Sequence, residues 1–369
     1  MGGGSAATQQ NTLFPLFAHK VVQHHLPRLP VELPNYHIRR EITMKLRRHR
    51  GNPVLEPKGD TWESIAVFNP AVACIDGQIH LLYRAVGEYV EYISRLGHAV
   101  FDENLNLVER FDEPCFTPEL ELWEMSVEDA RLTSLEGRLY MTYVITPTPC
   151  PPYAVRRRLG IPLRPQARTR ISLAEVTYES ERMGFQRLGI ITPYGSNQRD
   201  TVLFPEKIGG QYAALHRPSA WVGLGYLTDT PAIWFAYLDD LPGRMRGHRL
   251  VMKSEQPWEA RKIGAGPPPV KTDKGWLLIY HGVDEDRVYR AGAALLDLEE
   301  PWKVIARTPE PILEPEEEYE LVGDVPHVVF PEGAVVIGDQ LLVFYGAADK
   351  VCCVATTPLE EFIEHLLAM

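Results

Sequence analysis

The chain has 369 residues, 45% hydrophobic and 24% charged, with a formal net charge of -11. That is ordinary globular composition with length for a large core, and the acidic balance excludes a general nucleic-acid binder. No uninterrupted apolar run approaches the roughly 20 residues a membrane-spanning helix needs, and the five cysteines, of which Cys352 and Cys353 are adjacent, show no metal-ligand spacing.

Free thiols in a reducing compartment fit that cysteine pattern. Met1 to Asn11 is rich in Gly, Ser, Ala and Gln and lacks the apolar stretch of a signal peptide. A soluble, cytoplasmic protein is therefore expected. Residues 1–12 read as disordered, and residues 13–37 carry no clear periodicity. Residues 38–50 are densely basic, with Ile42, Met44 and Leu46 alternating. Two readings weigh equally there: a strand or short helix packed on a neighbouring subunit, or a solvated arm. Residues 1–51 are read together as an N-terminal extension.

From residue 52 the chain is strand-rich, and one hairpin recurs five times. The copies run Pro70–Val86, Asp129–Val144, Thr201–Pro218, Gly266–Gly282 and Pro331–Asp349. Each has an apolar strand, a glycine-containing turn and a second apolar strand. The turn glycines Gly77, Gly137, Gly210, Gly275 and Gly338 supply the positive φ that tight hairpins need. In the second copy, Glu128-Asp129-Ala130-Arg131 reads as a charged corner that feeds a short strand, Leu132–Leu135. Further strands are expected at Ser94–Phe101, Thr169–Tyr178, Trp234–Asp240 and Arg290–Leu298. A recurring unit that cannot bury both faces alone argues for radial stacking of small antiparallel sheets. The predicted fold is all-β, a five-bladed β-propeller over residues 52–357 with a short C-terminal helix over 358–369. Leu359, Phe362, Ile363, Leu366 and Leu367 give that helix its apolar spacing, and Thr356 or Thr357 is placed to cap it. Residues 145–168 hold six prolines and several arginines where a blade connection belongs. Long loops in compact domains are commonly functional, so this one reads as a lid or subunit contact.

Polar residues gather at the strand mouths. Arg199, Arg217, Lys262 and His281 form a cationic group from the third and fourth copies. Asn69, Arg84, Asp129 and Asp349 form a carboxylate-bearing group from the first, second and fifth. Fixed cations suit phosphate or another oxyanion, and Asn, Arg and Asp suit sugar hydroxyls. Together they suit displacement at an anomeric carbon, with an aspartate as acid and phosphate as nucleophile. Each residue taken singly is more often a structural ion pair; the sorting into an anion half and a sugar half favours function. There is no zinc-type histidine spacing, no Gly-rich phosphate loop opening a helix and no G-x-S-x-G.

Residues 52 to 357 resemble glycoside hydrolase family 130, the inverting β-mannoside phosphorylases and related hydrolases. The resemblance rests on Phe68-Asn69-Pro70, Leu82–Ala85, Ser94–Gly97, Glu128–Arg131, Leu203–Lys207, His216-Arg217-Pro218, Gly275-Trp276-Leu277, Tyr280-His281-Gly282 and Gly346–Asp349, in that order. It implies a five-bladed propeller in which Asp129 is the general acid, delivering its proton through the mannose 3-hydroxyl. It implies that Asn69, Arg84, Ser94, Glu128, Arg131 and Asp349 bind the substrate sugar. Arg199, Arg217, Lys262 and His281, with Tyr289 added, match the phosphate-binding positions. Ala130 stands where the family usually has proline. The function so implied is phosphorolysis of a β-mannoside oligosaccharide to α-mannose 1-phosphate. It uses inorganic phosphate as co-substrate, needs no cofactor or metal, and is carried out by a homo-oligomer with no membrane or nucleic-acid partner. The rivals are a β-mannoside hydrolase on the same scaffold and a non-catalytic carbohydrate-binding propeller.

Overall fold

The computed structural model describes Met1 and residues 44–148, 151–161 and 168–369. The readings made for residues 1–12 and 13–37 lie outside the described residues, as does Cys150. The chain begins its ordered path with a two-residue strand, β1 (Arg47–Arg48). The first blade follows as β2 (Ala66–Ile75), β3 (Gln78–Val86), β4 (Ser94–Phe101) and β5 (Leu107–Arg110). The second is β6 (Ser126–Leu135), β7 (Arg138–Thr146), β8 (Arg170–Glu179) and β9 (Arg182–Ile190), with a helix α1 (Tyr153–Leu159) between β7 and β8. The third is β10 (Gln198–Leu203), β11 (Tyr212–Pro218), β12 (Ile233–Leu238) and β13 (Arg246–Met252). The fourth is β14 (Lys262–Ala265), β15 (Val270–Lys271), β16 (Trp276–Val283), β17 (Tyr289–Leu296) and β18 (Val304–Arg307). A short helix α2 (Glu318–Leu321) precedes the fifth blade, β19 (Val329–Ile337), β20 (Gln340–Ala347) and β21 (Val351–Pro358), and α3 (Leu359–Leu367) ends the chain.

All pairings are antiparallel, and the first strand of each blade is innermost. The hairpins are tight because Asp76-Gly77, Glu136-Gly137 and Gly209-Gly210 place two consecutive residues at positive φ. That geometry matches the twist of the flanking strands. Five apolar clusters fill the five blade interfaces. Leu82 and Leu96 meet Met141 and Tyr143 between the first and second blades. Leu173 meets Leu203 and Ala214, Phe235 meets Trp276 and Leu278, and Ile279 meets Leu341 and Val343. Leu81 and Tyr83 meet Phe344 and Val354, which closes the ring. The five-bladed propeller is therefore formed by five equivalent sheet-to-sheet contacts.

Four blades share one buried polar staple. In the first, Tyr83 and Arg110 both bond Glu63, at 2.8 and 2.7 Å. Tyr143 and Arg187 bond Glu124 in the second. Tyr280 and Arg307 bond Glu259 in the fourth, and Tyr345 and Arg48 bond Glu320 in the fifth. Each glutamate ends a loop crossing from an outer strand to the next inner one, so the staple ties three parts of the blade together. A carboxylate that is buried and fully bonded rigidifies its surroundings.

Residues 38–43 of the basic stretch lie outside the described residues; its remainder, from Met44, packs on its own chain. Arg47 and Arg48 pair with Thr356 and Ala355 of β21, so β1 is the outer strand of the fifth blade. The sheet thus starts inside the 1–51 extension expected from sequence. The strand through Glu128–Arg131 is also longer than expected. β6 runs unbroken from Ser126 to Leu135, because a bulge between Glu128 and Arg131 absorbs the presumed corner. At the C-terminus, Thr356 and Thr357 belong to β21, and Pro358 stands at the N-cap of α3 without a side-chain cap. The helix is held by burial of Phe362, Ile363 and Leu366 instead.

Arg48→Ala removes the guanidinium from Glu320, whose side chain is 0% exposed. Removing one partner of a buried pair costs about 3 kcal/mol. The variant should unfold at a clearly lower temperature, read by calorimetry or thermal shift, while Arg47→Ala should not.

Candidate active site

Where the inner strands begin, the chain makes the same backbone departure three times. Asn69, Asp129 and Asp200 each take φ of 51°, and the ladder to the neighbouring strand slips at each of them. Asn and Asp are the non-glycine residues that tolerate this left-handed conformation best. The bulge turns their side chains out of the pleat and towards the axis. Around them lies a cavity of about 1050 Å³. The second strands of the blades deliver Arg84 and Arg217 to it, and the loop after β20 delivers Asp349.

Asp129 stands at the centre. Its Oδ1 accepts from Asn69 Nδ2 at 3.0 Å and from Arg84 Nη1 at 3.0 Å. Its Oδ2 lies 3.4 Å from Arg199 Nη1, which also bonds Glu128 at 3.0 Å. Arg84 Nη2 pairs with Glu128 at 3.2 Å, and Arg84 Nε donates to Ser94 Oγ at 2.8 Å. Burial works to raise the Asp129 carboxyl, but Arg84, Arg199, Arg131 and the Asn69 hydrogen bond prevail and hold it below the ordinary aspartate range. Asp349 behaves oppositely. Burial and the nearby carboxylates of Asp129, Asp324 and Glu128 push it up to about 7, against the pull of Arg84.

On the other side of the cavity, Arg199, Arg217, Lys262 and Tyr289 line the wall. Lys262 Nζ donates to the Tyr289 hydroxyl at 2.9 Å. Arg217 Nε donates to Asp200. Burial opposes ionisation of Asp200, yet Arg217, His281, Arg131 and Lys262 hold it well below the usual carboxylate range.

The structure brings nine of the twelve sequence-predicted site residues to the cavity wall: Asn69, Arg84, Glu128, Asp129, Arg199, Arg217, Lys262, Tyr289 and Asp349. Three are placed beneath it. Ser94 is fully buried and orients Arg84. Arg131 is 1% exposed, bonding the Asp129 carbonyl at 2.6 Å and the Gly266 carbonyl at 3.1 Å, so it supports the floor of the cavity. His281 is fully buried with its Nε2 at 3.6 Å from Asp200, and burial pushes it down to about 3. It is therefore a neutral imidazole and not one of the cations.

Asp200, a polar strand-mouth residue of the third copy outside both expected groups, also lines the wall, at the same kind of bulge as Asn69 and Asp129. The 145–168 segment contributes α1, whose Arg156, Arg157 and Arg158 line the cavity. Val155 anchors this helix on Phe68, Val86 and Tyr92, and Arg158 pairs with Asp324 at 3.1 Å. Arg261, Arg287 and His327 complete a basic rim. Among the described residues no group of three or more His, Cys, Asp or Glu is placed to hold a metal ion.

The Asp349 carboxyl stays protonated in the folded protein up to about pH 7 but ionises near 4 when unfolded. Folding therefore binds a proton across that window, and stability falls as pH rises through it. Asp349→Asn removes this dependence. Its urea midpoint relative to wild type should rise between pH 5 and pH 8 and level off above that.

A profile of glycoside hydrolase family 130, described as β-1,4-mannooligosaccharide phosphorylase, matches residues 39–367. The chain is 39% identical over 325 residues to a 1,2-β-oligomannan phosphorylase of Thermoanaerobacter sp., covering 86% of this chain and 99% of that protein. It is 38% identical over 329 residues to a β-1,2-mannobiose phosphorylase of the same organism, covering 86% and 98%. A solved β-1,2-mannobiose phosphorylase from Listeria innocua, in complex with β-1,2-mannobiose, superposes with a TM-score of 0.71 at 26% identity. It covers 88% of this chain and 99% of that one. The fold, the bulged aspartate among arginines and these matches agree, and the chain belongs to glycoside hydrolase family 130.

Proposed function

We propose that the protein is an inverting phosphorylase that cleaves β-1,2-mannosides with inorganic phosphate, giving α-mannose 1-phosphate and a shortened acceptor. The observation that carries this reading is the division of one cavity into two chemistries. Asn69, Arg84, Glu128 and Asp349 offer hydroxyl partners on one side, and Arg199, Arg217, Lys262 and Tyr289 offer anion partners on the other. Asp129 lies between, in contact with Arg84 and Arg199 alike. The linkage follows the names of the two relatives that match along most of this chain; the β-1,4 linkage in the family description makes it the second substrate to test.

In this reaction a phosphate oxygen attacks the anomeric carbon while the bond to the leaving oxygen breaks. The leaving oxygen takes a proton that originates on Asp129, passed through the sugar 3-hydroxyl. The acid must therefore be protonated when substrate is bound. Phosphate itself supplies the means. An anion seated on Arg199 offsets the charge that lowers Asp129, so its carboxyl rises towards the protonated form. Asp349, protonated up to about 7, is a hydroxyl partner that donates as well as accepts.

Hydrolysis would require a carboxylate free to activate water at the anion side. Of the carboxylates near those cations, Asp200 is the one buried against Arg217. Its pairing with Arg217 and its depressed proton affinity make it a weak base. Metabolism inside a cell suits phosphorolysis, because the charged product is retained.

Three outcomes test the proposal. Incubated with β-1,2-mannobiose or β-1,4-mannobiose, the protein should release mannose 1-phosphate only when phosphate is present, and faster from the 1,2 isomer. Free mannose as the sole sugar product without phosphate would sink it. Asp129→Asn should lower kcat by about 10²–10⁴-fold, the usual range for losing a general acid, with the thermal midpoint kept. The alkaline limb of the rate profile should move to higher pH as phosphate goes from limiting to saturating, because the bound anion raises the acid.

A further inference from the structure

The buried Tyr–Glu–Arg staple occurs in every blade except the third. At the equivalent place the third blade carries His216, in register with Trp234 on the next strand. His216 Nδ1 faces Gln198 Oε1 at 3.0 Å, and its Nε2 faces His248 Nδ1 at 3.0 Å. With the Gln198 carbonyl as acceptor, Nδ1 carries the proton and Nε2 accepts from His248. An imidazole stands in place of the tyrosine and a second in place of the arginine, but the connection differs: His216 is the centre, bonded to Gln198 of β10 and to His248, where in the other blades the glutamate is. His248 lies where β13 slips against β12, between the Phe235–Arg249 and Tyr237–Arg246 pairs. Trp221 closes the group, its ring 5.5 Å from His216 and 4.8 Å from His248.

This is the blade that holds the anion side of the site. Gln198 directly precedes Arg199, His216 directly precedes Arg217, and Arg199 and Arg217 are partners across β10 and β11. A glutamate in this staple would put a second buried negative charge in the blade that must receive phosphate, beside Asp200. The histidine pair gives the same mechanical tie without that charge. Burial and the neighbouring His248 hold His216 well below the ordinary histidine range, which keeps it neutral.

We propose that His216, held between Gln198 and His248, is a positioning residue that sets Arg199 and Arg217 for phosphate through an uncharged version of the blade staple. The inference rests on the reading of Arg199 and Arg217 as phosphate ligands. Its effect falls mainly on phosphate, because Gln198, His216 and His248 reach the sugar side only through the Arg199–Glu128 contact at 3.0 Å.

The test is two-substrate kinetics on the full chain with β-1,2-mannobiose and phosphate. Arg217→Ala first checks the underlying reading and should raise the KM for phosphate at least 50-fold. His216→Phe keeps the ring packing on Trp221 and removes both hydrogen bonds. It should raise the phosphate KM at least fivefold, with the mannobiose KM within twofold of wild type. His216→Gln should restore most of the loss. His248→Leu, which leaves the inner strands untouched, should move the phosphate KM in the same direction even if His216→Phe folds poorly. Tyr143→Phe, the same operation on the second blade's staple, should lower the thermal midpoint without moving the phosphate KM. An unchanged phosphate KM in His216→Phe and His248→Leu, or an equal change in Tyr143→Phe, overturns the positioning role while leaving the phosphorylase reading intact. An unchanged phosphate KM in Arg217→Ala overturns both.

Discussion

The site depends on one buried charge at the propeller axis. The Arg131 guanidinium touches the second blade through the Asp129 carbonyl and the fourth through the Gly266 carbonyl. It pairs with Glu332 of the fifth blade at 2.9 Å and approaches Asp200 of the third to 3.8 Å. Its Nε and Nη1 are hydrogen-bonded, while its Nη2 has Asp200 at 3.8 Å as its counter-charge, and a buried charge without such partners costs several kcal/mol in desolvation. The planar fork of arginine can meet several partners at fixed angles, which lysine cannot. Arg131 therefore sets the spacing of four inner strands, and it does so one residue pair below the bulge that aims Asp129.

The bulges and the axis charge work together. Three bulges turn Asn69, Asp129 and Asp200 towards the same volume, and the arginines arriving from the second strands decide the charge state of each. The cations around Asp129 and Asp200 hold those two below the ordinary aspartate range, while burial and the neighbouring carboxylates push Asp349 up to about 7. The same fold thereby prepares hydroxyl partners and anion partners within one cavity.

Much of this was written in local sequence. Glycine turns separated by comparable intervals carry the five hairpins, since two-residue turns demand positive φ whatever surrounds them. The functional residues lie at strand mouths, where side chains converge by topology. What was not legible depends on distant contacts. The outer strands β5 and β18 are short and half-exposed, with no apolar pattern to mark them. The pairing of β1 with β21 joins segments at opposite ends of the sequence. Ser94, Arg131 and His281 carry the right chemistry for a site, and only packing shows that they stand under it. Asp200 stands at a strand mouth in the sequence, but the bulge that turns it into the wall cannot be read from alternation alone.

The strand exchange that closes the ring sets an order on assembly. Blades one to four draw all their strands from contiguous sequence, so each has its full set of strands once its own segment is synthesised. The fifth has its outer strand from Arg47–Arg48 and its inner three from residues after Val329. Arg48 must therefore wait, unpaired, through the synthesis of four blades before Glu320 and Tyr345 arrive. Until then the arc has two open edges, and the cavity, which needs Asp349 and the last blade, cannot exist. Catalytic competence is thus reserved for chains synthesised through β21, and a nascent arc released early carries two sticky edges and no activity.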